Sequence, residues 1–213
     1  MDGVKLQGKI YSGYSKAALR IGLPMGVYQP TSVTAPLGNL KTTIPVSFNA
    51  IDWTYTKASG YGKPVWNCLA DGTQLQVGDY LVGAPGTFFI ASMQPILPIL
   101  AVECNRTVTV SRPQQQYGVG QAPYGGNTAQ NETAVITGYP ASLLISAKTN
   151  ESTAKLPGDA KQAGWMLLLP IIPSGAVVLN DDIVVDELNN RYIVIGAELT
   201  DMGWRCNLYT SET

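Results

Sequence analysis

Apolar positions recur at helical spacing only near the start of the chain. Leu6, Ile10, Tyr14, Ala17, Ala18 and Ile21 fall on one face at a period of 3.6. Gly22 followed by Leu23–Pro24 ends the run, so the pattern predicts one helix over about residues 4–21. Its polar face carries Lys5, Lys9, Lys16 and Arg20. Beyond it the period shortens to two. Ile44, Val46 and Phe48 alternate with polar residues, as do Thr107 to Arg112. Two later stretches echo each other. Gly78–Asp79–Tyr80–Leu81–Val82, a turn and Thr87–Phe88–Phe89–Ile90–Ala91 form one. Asp181–Asp182–Ile183–Val184–Val185, a polar turn and Arg191–Tyr192–Ile193–Val194–Ile195 form the other. Each follows an apolar run led by a tryptophan, Trp66 and Trp165. The pattern predicts a mainly β chain: two small antiparallel β-barrel or sandwich modules with one N-terminal α-helix.

Punctuation divides the chain. Residues 1–64 read as the helix and an extended segment dense in Pro, Gly, Thr and Ser, with one strand over 41–50. Residues 65–112 read as the first β module, with Asp71–Gly72 as a hairpin signal. Residues 113–134, PQQQYGVGQAPYGGNTAQNETA, have no apolar period and read as an arm that orders against a partner, with Tyr117 and Tyr124 to bury. Residues 135–213 read as the second β module. There Trp165 to Ile172 is a buried strand, Ala176 to Leu179 another, and Asn189–Asn190 the tip of a hairpin.

Composition narrows the chemistry. The 213 residues suit one ordinary domain or two small ones, and 45% are hydrophobic. Only 14% are charged, against about 25% in a usual soluble chain, which fits a surface covered by partners or one made of Ser, Thr, Asn, Gln and Gly. A net charge of −1 offers no bulk attraction to nucleic acid or an anionic membrane. The polar opening MDGVKLQGKIYSGY predicts no secretory leader. The run from Trp165 to Ile172 is too short to span a bilayer and contains Pro170.

No histidine is present, which removes imidazole relays, Ser-His-Asp triads and imidazole metal sites. Cys68, Cys104 and Cys206 have no metal spacing and read as small buried hydrophobes. The acidic group Asp181, Asp182, Asp186 and Glu187 lacks the spacing of a calcium loop, and alternation sets Asp181 and Asp182 on opposite faces. Gly60–Tyr61–Gly62–Lys63 and Gly118–Val119–Gly120 lack the remaining residues of a phosphate loop. Three glycosylation sequons begin at Asn105, Asn131 and Asn150 and read as chance in a chain rich in Asn and Thr. Paired carboxylates for glycan hydrolysis would have to come from Asp71, Asp79, Asp159, Asp181 and Asp182, and linear spacing singles out no pair. The reading is therefore of a scaffold, with no catalytic residue, cofactor or metal assigned.

Three segments carry a resemblance. KIYSGYSKAALRIGLPMGVYQP and GDYLVGAPGTFFIASMQPILPILAVECNRTVTVSRP resemble virion structural proteins of tailed bacteriophages. The closing Tyr192–Ile193–Val194–Ile195 and Trp204–Arg205–Cys206–Asn207–Leu208 are similar to the small β-barrels of head–tail connector proteins of the stopper or head-completion kind. Those are usually a single barrel, whereas this chain reads as two modules plus a helix. The resemblance implies a ring at the neck or upper tail that bridges neighbouring rings around the DNA channel. Its partners would be itself, connector, portal-side or tail proteins, with DNA only as passing cargo and no membrane. Its place would be the virion, assembled in the host cytoplasm. Tyr117, Tyr124, Lys16 and Arg20 are then the expected inter-subunit contacts. Two other readings stand beside it: a tail or baseplate component that anchors fibres, and a carbohydrate-binding β module using the four tryptophans and eleven tyrosines.

Overall fold

A computed structural model describes residues 2–49, 63–114, 131–146 and 164–211. Among the described residues one helix, α1 (Gly3–Ile21), precedes twelve strands that close into two barrels. Asp2 caps α1 by accepting the Val4 N–H at 3.2 Å, and Gly22 closes it with a bond to the Ala18 carbonyl. The helix packs on the first barrel, where the Tyr11 ring lies over Gly72; a Cβ at that position would sit 2.5 Å from the ring.

The first barrel comprises β1 (Leu23–Tyr28), β2 (Leu40–Asn49), β3 (Val65–Leu69), β4 (Tyr80–Gly83), β5 (Gly86–Ser92) and β6 (Ile99–Cys104). The second comprises β7 (Arg106–Pro113), β8 (Glu132–Ile145), β9 (Gly164–Leu169), β10 (Ile183–Asp186), β11 (Arg191–Thr200) and β12 (Gly203–Thr210). The strand orders are β1-β2-β3-β6-β5-β4 and β7-β8-β9-β12-β11-β10, all antiparallel. These are the same order. Each barrel is a three-strand meander, a connection across the barrel end, and a second three-strand meander. Each crossing connection contains a one-turn 3-10 helix, Gly72–Gln74 in one and Pro173–Gly175 in the other.

The register repeats as well as the order. Met25 pairs with Ile44 on one side and Gly83 on the other, as Val108 pairs with Tyr139 and Asp186. Carrying that alignment round each barrel sets Ile44–Pro45–Val46–Ser47–Phe48 on Tyr139–Pro140–Ala141–Ser142–Leu143. It sets Trp66 on Trp165. A β-bulge falls at the matching place in β5 and β11, with Ala91 and Ile195 as the extra residues. The two β modules expected from the sequence are thus present, and the echo is one plan built twice.

The division between them falls elsewhere than composition suggests. β1 and β2 belong to the first barrel, so its strands begin at Leu23 rather than at Val65. β7 closes the second barrel by pairing with β8 and β10, so the changeover is at Asn105. There the Asn105 amide gives its nitrogen to the Leu143 carbonyl and takes the Leu143 N–H, at 2.9 and 2.8 Å. This amide stands in for a strand residue, and its sequon nitrogen is occupied. Asp71–Gly72 does not tip a hairpin: β3 and β4 are not neighbours, and Asp71 caps a 3-10 turn by accepting the Thr73 N–H. Ala176 to Leu179 forms no strand.

The barrels share a core. Leu81, Phe88, Ile90, Ile99 and Ala101 fill the first barrel with Met25, Val27 and Ile44. Their strand neighbours Tyr80, Phe89, Ala91 and Val102 point outward into the cluster that fills the second barrel. Burial on both faces accounts for the unbroken apolar run Phe88–Ala91. Polar ties cross the join: Tyr80 donates its hydroxyl to the Pro140 carbonyl, and Tyr139 donates to the Ser32 carbonyl, each at 2.7 Å.

Candidate functional site

The acidic residues of the echo act as latches. Asp182 is 1% exposed. It accepts Arg112 Nε at 2.8 Å, Arg112 Nη2 at 3.0 Å and the Leu179 N–H at 2.8 Å. Asp79 takes the matching place in the first barrel, accepting the Gln76 N–H and Lys41 Nζ at 2.9 Å each. Both carboxylates tie the end of the crossing connection to a cation on another strand. The residue before each has positive φ, Gly78 at 91° and Asp181 at 69°, and aspartate is among the few residues that tolerate it. The carboxylate beside Arg112 raises the guanidinium pKa above its ordinary value.

Further along, Asp186 gathers the Leu188 and Asn190 N–H groups and the Asn190 side chain, holding the hairpin in which Asn189 has φ 61°. Glu187 accepts the Thr107 N–H. Asp182, Asp186 and Glu187 are therefore spent on turns and on ties to β7, while Asp181 is exposed. Among the described residues no set of three or more Cys, Asp or Glu is arranged to hold a metal ion. Asp71 bonds Thr73 and Gln74, and those bonds hold its carboxyl below the usual range. Asp79 and Asp182 lie in different barrels, each facing its own cation. Asp159 lies outside the described residues, as do Tyr117, Tyr124, Trp53, Gly60–Gly62 and Gly118–Gly120.

The cysteines are packing residues. Burial pushes the Cys68 and Cys206 thiols up to about 12, and Cys104 higher still. The described tryptophans are tied inward too. Trp66 Nε1 donates to Glu103 at 3.0 Å, Trp165 meets the Tyr192 ring edge-on, and Trp204 is buried.

An apolar cleft of about 320 Å³ lies where the barrels meet, lined by Val65, Phe89, Leu100, Leu169, Met202 and Trp204 among others. Asp201 and Arg205 are its charged lining residues, and Arg205 is paired with Glu198 at 2.7 Å. The cleft can seat an apolar group; the Thr200 hydroxyl on its lining is engaged in the β11–β12 turn, donating to the Gly203 carbonyl and accepting the Met202 N–H.

The remaining feature is α1. Lys16 and Arg20 are exposed on it, together with Lys5 and Lys9. The structure places Lys16 and Arg20 on one surface with each other, and does not bring them to any described acid. No helix among the described residues is long and apolar enough to cross a membrane. Comparison with known protein families, curated proteins and solved structures finds no match for this chain. Sequence reasoning set Asp79 and Asp182 at matching places in the echo and missed the latches they form with Lys41 and Arg112. The signal was present: each aspartate closes a loop and precedes an apolar strand led by the same tryptophan run.

Proposed function

We propose that this chain is a non-catalytic structural protein of a tailed-bacteriophage virion, a ring-forming connector at the head–tail neck or upper tail that bridges neighbouring rings around the DNA channel. The observation that carries the reading is where the charge goes. The described arginines and the buried aspartates of the barrels are paired within the fold, while the cations of α1 face outward with no ion pair among the described residues. Two barrels joined through the outward residues Tyr80, Phe89, Ala91 and Val102 of the first make a stiff block, which suits a protein whose work is to hold position. The resemblance of the opening and middle segments to virion structural proteins of tailed phages, and of the closing segment to head–tail connectors, supplies the setting. A tail or baseplate component that anchors fibres is the second reading, favoured by the same outward charge. A carbohydrate-binding module gains little, because Trp66, Trp165 and Trp204 are engaged within the protein.

The test is negative-stain imaging of phage particles carrying labelled protein. Label in a ring at the neck or upper tail supports the proposal. Label along fibres favours the second reading, and particles without label overturn both. Replacing residues 115–130 by a short turn gives a further arm. Gln114 and Asn131 already pair across the ends of that segment, so the monomer still folds, and ring assembly is lost.

A further inference from the structure

Lys5, Lys9, Lys16 and Arg20 fall within about 60° of arc on α1 and span about 22 Å along its axis. This stripe lies opposite the face that packs on the first barrel, and all four are exposed. None has an ion pair among the described residues, whereas Lys41 and every described arginine outside the helix has one. The helix supplies no acid of its own. Gly3–Ile21 contains no Asp or Glu, so Lys9, Lys16 and Arg20 have no carboxylate one turn away to offset them. Four cations against Asp2 give α1 and its cap a charge of +3, which leaves −4 on the rest of a chain of net charge −1. The charge of the molecule is thus polarised, with one cationic strip on an otherwise acidic body.

The stripe is built as two pairs. Lys5 and Lys9 stand about 6 Å apart along the axis, as do Lys16 and Arg20, and the centres of the pairs are about 16 Å apart. Ser12 and Gly13 flank the gap between them and are exposed. A Cβ at Gly13 would meet nothing within 4 Å, so no described neighbour calls for a glycine there. Glycine weakens a helix against alanine, and its effect here is to keep the surface low between the cations. Of the exposed apolar residues of α1, Leu19 alone borders the stripe; Val4 and Ile21 point elsewhere on the helix. A protein partner docks through a desolvated apolar or aromatic centre, which this face lacks. A phosphate backbone needs only cations at intervals. The major groove of a duplex is about 12 Å wide, so pairs about 16 Å apart reach a phosphate strand on either side of it. The gap carries no Arg, Lys, Asn or Gln to pair bidentately with a base edge.

We infer that the exposed face of α1 binds the phosphate backbone of duplex DNA without sequence preference, Lys5 and Lys9 on one strand and Lys16 and Arg20 on the other. The inference rests on the ring reading for its setting and deepens it by naming α1 as the element that faces the channel. It gives Lys16 and Arg20 to DNA rather than to a neighbouring subunit. The acidic remainder of the chain turns away from the duplex, so contact is confined to the helix and stays weak enough for the strand to slide.

The experiment is fluorescence anisotropy of a labelled mixed-sequence DNA duplex, titrated with the full chain over a range of salt. Four phosphate contacts predict a slope of log K against log salt of about −3.6, which is about a hundredfold loss between about 0.05 and 0.2 M. A second duplex of unrelated sequence binds equally. Neutralising the stripe, K5Q/K9Q/K16Q/R20Q, abolishes binding while circular dichroism shows the fold intact. Each single change, such as Lys16→Gln, lowers the slope by about 0.9. Arg205→Gln, an exposed cation away from α1, changes neither affinity nor slope. Duplex that fails to bind at low salt, or that the quadruple variant binds as wild type does, overturns the inference and leaves the ring reading standing. A poly-glutamate peptide that binds as tightly as the duplex overturns it in favour of an acidic protein partner. DNA binding through the stripe by a chain that never forms rings keeps this contact and overturns the ring.

Discussion

Replacing Asp182 by alanine removes a buried carboxylate and three hydrogen bonds at once. Two come from Arg112 and one from the Leu179 N–H. A bond to a charged group contributes about 1.5–3 kcal/mol when buried. Arg112 is 41% exposed, so water re-solvates part of the freed guanidinium, and about 1 kcal/mol for each of its bonds is the better figure. The Leu179 amide, left without its acceptor, adds about 1–2 kcal/mol. The expected loss is about 3–4 kcal/mol. Asp79→Ala removes two bonds, one from the Gln76 amide and one from Lys41, and is expected to cost about 2–3 kcal/mol. Chemical denaturation followed by far-ultraviolet circular dichroism measures both. Because the two barrels share a core, one cooperative transition is expected, with a lowered midpoint and an unchanged slope. A loss below about 0.5 kcal/mol in either variant would refute the latch reasoning, since a surface substitution does as much. Two separate transitions, with only the mutated barrel melting early, would refute the shared core.

Gly203→Ala combines φ 115° with a Cβ driven into the Leu169 carbonyl and Pro170 backbone, so a loss above about 2 kcal/mol is expected in the same denaturation assay. Tyr80→Phe deletes the buried bond to the Pro140 carbonyl across the barrel join and is expected to cost about 1–2 kcal/mol, read from thermal melts. Alkaline pH destabilises the fold. Unfolded thiols lose their protons near 9, while folded Cys68 and Cys206 keep theirs up to about 12. The unfolded state then binds fewer protons, and stability falls by up to about 1.4 kcal/mol per pH unit for each thiol in that window. Urea titrations under reductant from pH 8 to 11 measure the slope, and Cys68→Ala is expected to reduce it.

The helix was legible because a 3.6 period survives two glycines and ends at a Gly-Leu-Pro stop. The hairpin at Asn189 was legible because asparagine at positive φ has few other uses. β2 was read as a strand over 41–50 despite Pro45, whereas Pro24 helped to hide β1, because prolines argue against strands. In the barrel the two prolines face each other on one rung, so both missing donors fall at one place in the ladder. The changeover at Asn105 was hidden because a one-residue join leaves no loop composition to read. The latches were hidden for a different reason. An aspartate at the foot of a strand looks like turn chemistry, and only the closed topology shows Arg112 and Lys41 arriving from other strands to meet it. The cationic stripe was visible as residue types, whereas its lack of partners is a property of the folded surface.

Averaged electron micrographs of the purified full chain at low salt test the central claim most directly. The account predicts closed rings in which each subunit is a two-lobed block, one lobe for each barrel. Fields of isolated two-lobed particles, unchanged by concentration or salt, would contradict it.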